Sequence, residues 1–320
     1  MGIARAAPRT TPPLRIEESF GEDTAVDVGG LALVTGAALG IVWGLVRGNS
    51  AGWGSLEVVG AFVVGAALVI AFVIWELRAR EPMLPMRFFR SRAFSSGNAA
   101  SFFLFASLFG GVFFFAQFLQ IGLGHRPLDA GLRIVPWTAT LFVVAPIAGA
   151  LADRIGERPL MVAGLSLQAI GMGWVALVAE PGVAYGQLVM PMIVAGIGAS
   201  MGIPAAQNAV VGSVAAGAIG KAAGANSMLR ELGGVFGIAI IVAVFAGAGG
   251  YASAEAFSDG FVPAIAVSAA LALTGAIAGL GMPARRVATG VGPGPAIRAT
   301  PDASPCGHRM ASALHAEAGS

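Results

Sequence analysis

The chain of 320 residues is 56% hydrophobic and only 11% charged, with a mean hydropathy of +0.80; a soluble globular domain carries about 25% charged residues, so a water-exposed body of this size is excluded. The net charge of +2 comes from basic residues scattered between apolar runs, which excludes a nucleic-acid-binding face. A single cysteine, Cys306, excludes an internal disulfide or a multi-cysteine metal site.

Residues 1–27 form a polar segment, too acidic for a cleavable signal sequence. Eight apolar runs follow, each close to the ~20 residues that a membrane-spanning helix needs. They are Val28–Val46, Val58–Trp75, Gly97–Leu123, Ile134–Leu151, Leu160–Ala179, Gln187–Val211, Ala222–Gly247 and Gly260–Met282. The expected fold is an all-α integral membrane bundle of about eight helices whose first partner is the lipid bilayer. Residues 28–75 make a helix pair, 76–96 an arginine-rich linker, 97–282 a six-helix unit and 283–320 a disordered tail.

Arginine placement predicts the orientation. Alternate intervals hold Arg5, Arg9 and Arg15, then Arg78, Arg80, Arg87, Arg90 and Arg92, then Arg154 and Arg158, then Lys221, then Arg285 and Arg286. The other intervals hold only Arg47, Arg126 and Arg133. Both termini of the chain are therefore expected in the cytoplasm. Trp43, Trp53, Trp75 and Trp137 fall near predicted helix ends, as an interfacial belt requires.

Gly36, Gly40 and Gly44 repeat every four residues, as do Gly198 and Gly202. Such faces let helix backbones approach closely. The histidines, His125, His308 and His315, lie outside the spans and beside no activated nucleophile. No enzymatic activity is expected, and no metal site or cofactor.

Polar residues inside spans carry the functional signal, because each costs free energy unless it is paired or faces water. They are Asn98, Gln117 and Gln120 on the third span, Gln168 on the fifth, Gln207 and Asn208 on the sixth, and Asn226 on the seventh. Interhelical hydrogen bonding and a polar substrate cavity both account for such residues. Gln117 and Gln120, three apart, share a face and accompany an aromatic wall that includes Phe114 and Phe118. The cavity candidates are Asn98, Gln117, Gln120, Phe114, Phe118, Gln207 and Asn208. Arg230 and Glu231 are charges well inside the seventh predicted span, with a conformational or latching role expected. Arg230 itself is excluded as a proton carrier because guanidinium holds its proton. Pro136, Pro146, Pro191 and Pro204 are expected to kink their helices.

"GALADRIGERP", Gly149–Pro159, joins two apolar runs. It resembles the loop signature of the major facilitator superfamily, roughly G-x-L-[AS]-D-[RK]-x-G-x-[RK], with Gly149, Asp153, Arg154, Gly156 and Arg158 at its key positions. "FFAQFLQIGLGHRPLDAGLRIVPW" and "GANSMLRELGGVFGIAI" are similar to the C-terminal half of the 14-helix drug:proton antiporter branch. The resemblance implies a proton-gradient-driven exporter of amphipathic small organic molecules, cations among them, in the bacterial inner (plasma) membrane, with Gly149–Arg158 as a conformational-switch loop. It further implies two six-helix halves rocking about a cavity. The eight runs match the two extra helices and the second half, so the expectation is a truncated product, or a half-transporter partnered by an N-terminal six-helix half. A non-transporting membrane scaffold is the alternative.

Overall fold

The computed structural model of the protein describes residues 27–79 and 82–284. Among these, eight helices are long and apolar enough to cross a membrane. The polar N-terminal segment up to residue 26, Arg80, Glu81 and the tail from residue 285 lie outside the described residues.

Local chemistry sets most helix starts. Asp27 accepts the backbone N–H of Gly30 at 2.8 Å and opens α1, Val28–Ala51. Ser55 caps α2, Leu56–Arg78, through Val58 N–H, and Ser91 caps α3, Arg92–Gln117, through Phe94 N–H. Pro127 opens α4, Pro127–Ile155, where its missing donor is not needed. Gly156 separates α4 from α5, Glu157–Val178, with φ +88° and ψ 168°, a conformation reserved for glycine. After α6, Tyr185–Val211, and α7, Ile219–Ala248, Ser253 caps α8, Ala254–Leu280.

Several limits differ from the sequence expectation. Most marked is α4, which begins seven residues before Ile134 because Pro127 starts a helix that the polar Arg126–Arg133 run conceals. Asp129 and Arg133 therefore lie in its first turns rather than in a loop. Trp137 is not interfacial: it stands three turns inside α4, 4% exposed, edge-on to Phe115 at 6.1 Å. Trp53 and Trp75 do sit at or near helix ends, donating to Asn49 and Asp27, whereas α1 runs two turns past Trp43, which donates to Glu57. The arginine-rich linker is shortened at both ends by helix, so Glu76 and Arg78 belong to α2 and Arg92 to α3.

Helices α3 to α8 form one bundle. Central α3 packs on α7, α8 and α6, while α5 bridges α6 and α8, and α4 leans chiefly on α6. The α3–α7 seam is close because Gly233 and Gly237 carry no side chain. A methyl group on either would meet the carbonyl oxygen of Phe102 or Ala106. At the α3–α7–α8 junction Phe114, Phe115, Phe118, Phe245, Phe257 and Phe261 form a closed aromatic core. Phe118 stacks on Phe261 at 4.3 Å and 8°.

The α1–α2 pair packs on itself and reaches the bundle mainly through α7. Asn49 Nδ2 donates to the carbonyl of Ala243 at 2.6 Å near one end. Near the other, arginine-rich end, Glu76 is 3% exposed, and its Oε2 accepts the N–H of Leu84 at 3.0 Å.

Candidate functional site

Two faces of α3 carry the sequence candidates, and they have opposite surroundings. Phe114 and Phe118 are fully buried, with Phe114 4.9 Å from the Phe245 ring. They hold the aromatic core together and line no open cavity, contrary to the expected wall. On the other face Phe109 and Phe113 are exposed, and Gln117 and Gln120 are half-buried.

Gln117 closes the α-helical part of α3, and Phe118–Gly122 continues as a wider π-type turn. Such turns are frequent at functional positions because they re-aim side chains. Here the two glutamines are turned back on their own helix. Gln117 Nε2 donates to Phe113 O at 3.4 Å, and Gln120 Nε2 to Ala116 O at 3.1 Å. Gln117 Oε1 remains available and accepts Tyr251 O–H at 3.0 Å across the α7–α8 connection. Partial desolvation raises the Tyr251 phenol above its ordinary pKa.

The other polar candidates divide in the same way. Asn98 is 1% exposed; its Oδ1 accepts Asn226 Nδ2 at 3.0 Å and its Nδ2 donates to Phe94 O at 2.9 Å. It joins α3 to α7 and faces no cavity, contrary to expectation. Gln168 Nε2 donates to Ser107 Oγ at 2.9 Å, and Ser107 lies 3.1 Å from Ser268 Oγ. That buried rung links α5, α3 and α8. Gln207 and Asn208 are exposed on α6, and Asn208 shares a small 150 Å³ depression with Glu157 and Arg158.

The signature loop occupies the α4–α5 joint. Gly149 lies within α4, and a methyl group built on it would meet open space. Arg154 is exposed and Arg158 half-buried, on either side of Gly156. Asp153 is helical, but its side chain lies outside what the structure describes.

Arg230 and Glu231 point apart. The Arg230 guanidinium lies 4.3 Å from the centre of the Phe105 ring on α3, a cation–π contact. Its buried Nε has no partner. Glu231 lines a crevice facing α1.

Missed from the sequence are Tyr251, which anchors Gln117, and Glu76, read as a linker residue. The α4 surface was also missed: Leu128, Leu132, Val135, Phe142, Val143 and Ile147 are all exposed. A helix that exposes so many apolar side chains is one covered by lipid or by other helices.

These features define a multi-pass membrane protein, helical throughout its spans among the described residues, with a close-packed polar-bridged interior and one broad apolar face. Residues 28–238 match the model of the Major Facilitator Superfamily, and the chain belongs to that family. Among similar proteins, the tetracenomycin C resistance and export protein of Streptomyces glaucescens is 30% identical over 249 residues, 77% of this chain and 46% of that protein. Multidrug resistance protein Stp of Mycobacterium tuberculosis is 28% identical over 233 residues, covering 72% of this chain and 43% of that protein. A probable actinorhodin transporter of Streptomyces coelicolor is 29% identical over 241 residues, 73% and 42% respectively. The chain thus spans a little under half the length of these relatives.

Proposed function

We propose that this protein forms part of the membrane pathway of an exporter for amphipathic small organic molecules, of the 14-helix antiporter type, driven by the proton gradient. The supporting observation is the apolar, uncovered side of α4, together with the exposed Phe109 and Phe113 of α3. A substrate cavity closes there when a second helical bundle packs against α4, on the same polypeptide or another one. The similarity to exporters of tetracenomycin C and of multiple drugs supports the substrate class. Differential affinity for substrate and proton would drive the rocking between bundles. In this reading the protein resides in the bacterial plasma membrane with its arginine-rich ends in the cytoplasm.

Efflux measured in cells expressing the chain alone and beside a six-helix partner tests this. Export that collapses with the proton gradient is expected. Its absence in both settings overturns the reading and leaves the second one, a membrane scaffold that transports nothing. The closed packing around Asn98 and Gln168 favours that second reading, since a scaffold needs only such bridges. Reporter fusions at Arg87 and Ser253 test the orientation, and a signal from the same side at both overturns it.

A further inference from the structure

None of these roles uses the turn that leads into α3. Met86–Arg90 form a short 3-10 helix between the end of α2 and Ser91, the cap of α3. Its inner side is fixed to the bundle. Leu84, just before it, gives its N–H to Glu76. Phe88 packs against the apolar cluster of Leu84, Phe94 and Val210, its ring 5.3 Å from that of the fully buried Phe94. Ser95 Oγ donates to the Phe89 carbonyl at 2.6 Å and ties the turn to α3.

The outer side is basic. Arg87, Arg90 and Arg92 are exposed, and Phe89 beside them is 37% exposed. In a 3-10 helix, side chains three apart eclipse one another, one turn or about 6 Å along the axis. Arg87 and Arg90 therefore leave the turn on one ridge. The Arg87 guanidinium is steadied 5.7 Å from the centre of the Phe88 ring. The ion pair found among the described residues is Arg47–Glu57, so none of the three arginines has an ionic partner there.

Because α2 and α3 both qualify as spans, the turn between them lies where the bilayer surface meets the bundle. A basic cluster directly beside a span attracts anionic headgroups. An apolar ring at that level enters the boundary between headgroups and acyl chains.

We propose that this turn is a binding site for a phospholipid with two phosphates, diphosphatidylglycerol. Arg87 and Arg90 each donate to one phosphate, and Phe89 lies beside the acyl chains. Two guanidiniums on one ridge match two phosphates joined through a single glycerol better than the lone phosphate of phosphatidylglycerol. Each guanidinium can give two parallel N–H bonds to its phosphate. The site is separate from the α3–α4 face, and it stands whether or not the chain exports anything.

Binding of diphosphatidylglycerol, phosphatidylglycerol and phosphatidylcholine to the full chain in detergent, counted by native mass spectrometry, tests the assignment. Diphosphatidylglycerol is expected to bind most tightly, even with the other lipids at matched phosphate. A basic residue near an anionic surface is worth about fivefold in affinity. Arg87→Gln and Arg90→Gln should therefore each weaken its binding about fivefold, and together about 25-fold. The pair Arg87→Lys and Arg90→Lys should keep the affinity for phosphatidylglycerol and lose the preference, because an ammonium lacks the planar fork. Arg126→Gln, at the start of α4 and the other end of the bundle, should change nothing. Unfolding midpoints in lipid-free detergent near that of the unaltered chain establish that the variants fold, and the single variants carry the test if the double one does not. Unchanged affinity in the glutamine variants overturns the proposal. So does equal binding of diphosphatidylglycerol and phosphatidylglycerol at matched phosphate. Displacement of the lipid by inorganic phosphate also overturns it, since the turn would then be a site for the free anion.

Discussion

Asn226 on α7 donates its side-chain amide to the carbonyl oxygen of Asn98 on α3, 3.0 Å away, with both residues almost wholly buried. The contact fastens the helix carrying Arg230 and Glu231 to the centre of the bundle. Replacing Asn226 by Ala strands a buried acceptor, which costs about 1–3 kcal/mol. Unfolding of the two single variants and the double variant in detergent should give a coupling energy of about 0.6–1.7 kcal/mol, the range for polar pairs between membrane helices. A coupling near zero would show that the pair contributes no specific interaction.

The two glycines of the signature stretch, Gly149 and Gly156, should behave differently. Gly156 adopts φ +88°, so Gly156→Ala is expected to cost about 1–3 kcal/mol of stability. Gly149 sits in helix with open space beside it, so Gly149→Ala should be neutral or slightly stabilising. Loss of transport in a stable Gly149→Ala protein would therefore report a contact with a second bundle or a moving part, while loss in Gly156→Ala would report folding.

At the α3–α7 seam a methyl group on Gly237 would collide with the Ala106 carbonyl oxygen. Gly237→Ala should lower stability by about 1–3 kcal/mol, the usual penalty of overpacking. Thermal unfolding of that variant beside Gly224→Ala, whose added methyl meets nothing, separates the collision from the intrinsic effect of alanine.

Tyr251 supplies a pH test. Burial raises its phenol above the ordinary value, which is about 10, so the folded protein favours the neutral donor. That contribution is complete below the ordinary pKa and disappears as pH climbs through the raised one. Alkaline titration of phenolate absorbance should show a late-ionising component that Tyr251→Phe removes. The same variant should leave stability at pH 7 little changed because the bond to Gln117 is exposed.

Much of the fold was legible because length and apolarity alone specify spanning helices, and the eight runs all reappear. Boundaries failed where a polar start masked a helix, as at Pro127, and where a helix ran past the end of its apolar run, as α2 does through Glu76 to Arg78. Facing was the harder problem. In water, apolar periodicity distinguishes inside from outside, whereas on α3 the buried Phe114 and the exposed Phe113 are the same residue type, since lipid and core favour the same side chains. Glycines were a better guide: the Gly36–Gly40–Gly44 face does meet α2, with Gly40 set against Gly65.

The first two helices meet the rest at Asn49 on Ala243, along the short α1–α7 contact, and at the linker end, where Glu76 holds Leu84 and Phe72 joins Phe94, Val210 and Ala222 in one apolar cluster. None of them enters the aromatic core or the Gln168 rung. A hairpin attached in this way is modular. Lineages could acquire it, replace it or discard it without redesigning the six helices beside it, and the groove it creates could diversify in chemical taste independently of the central machinery.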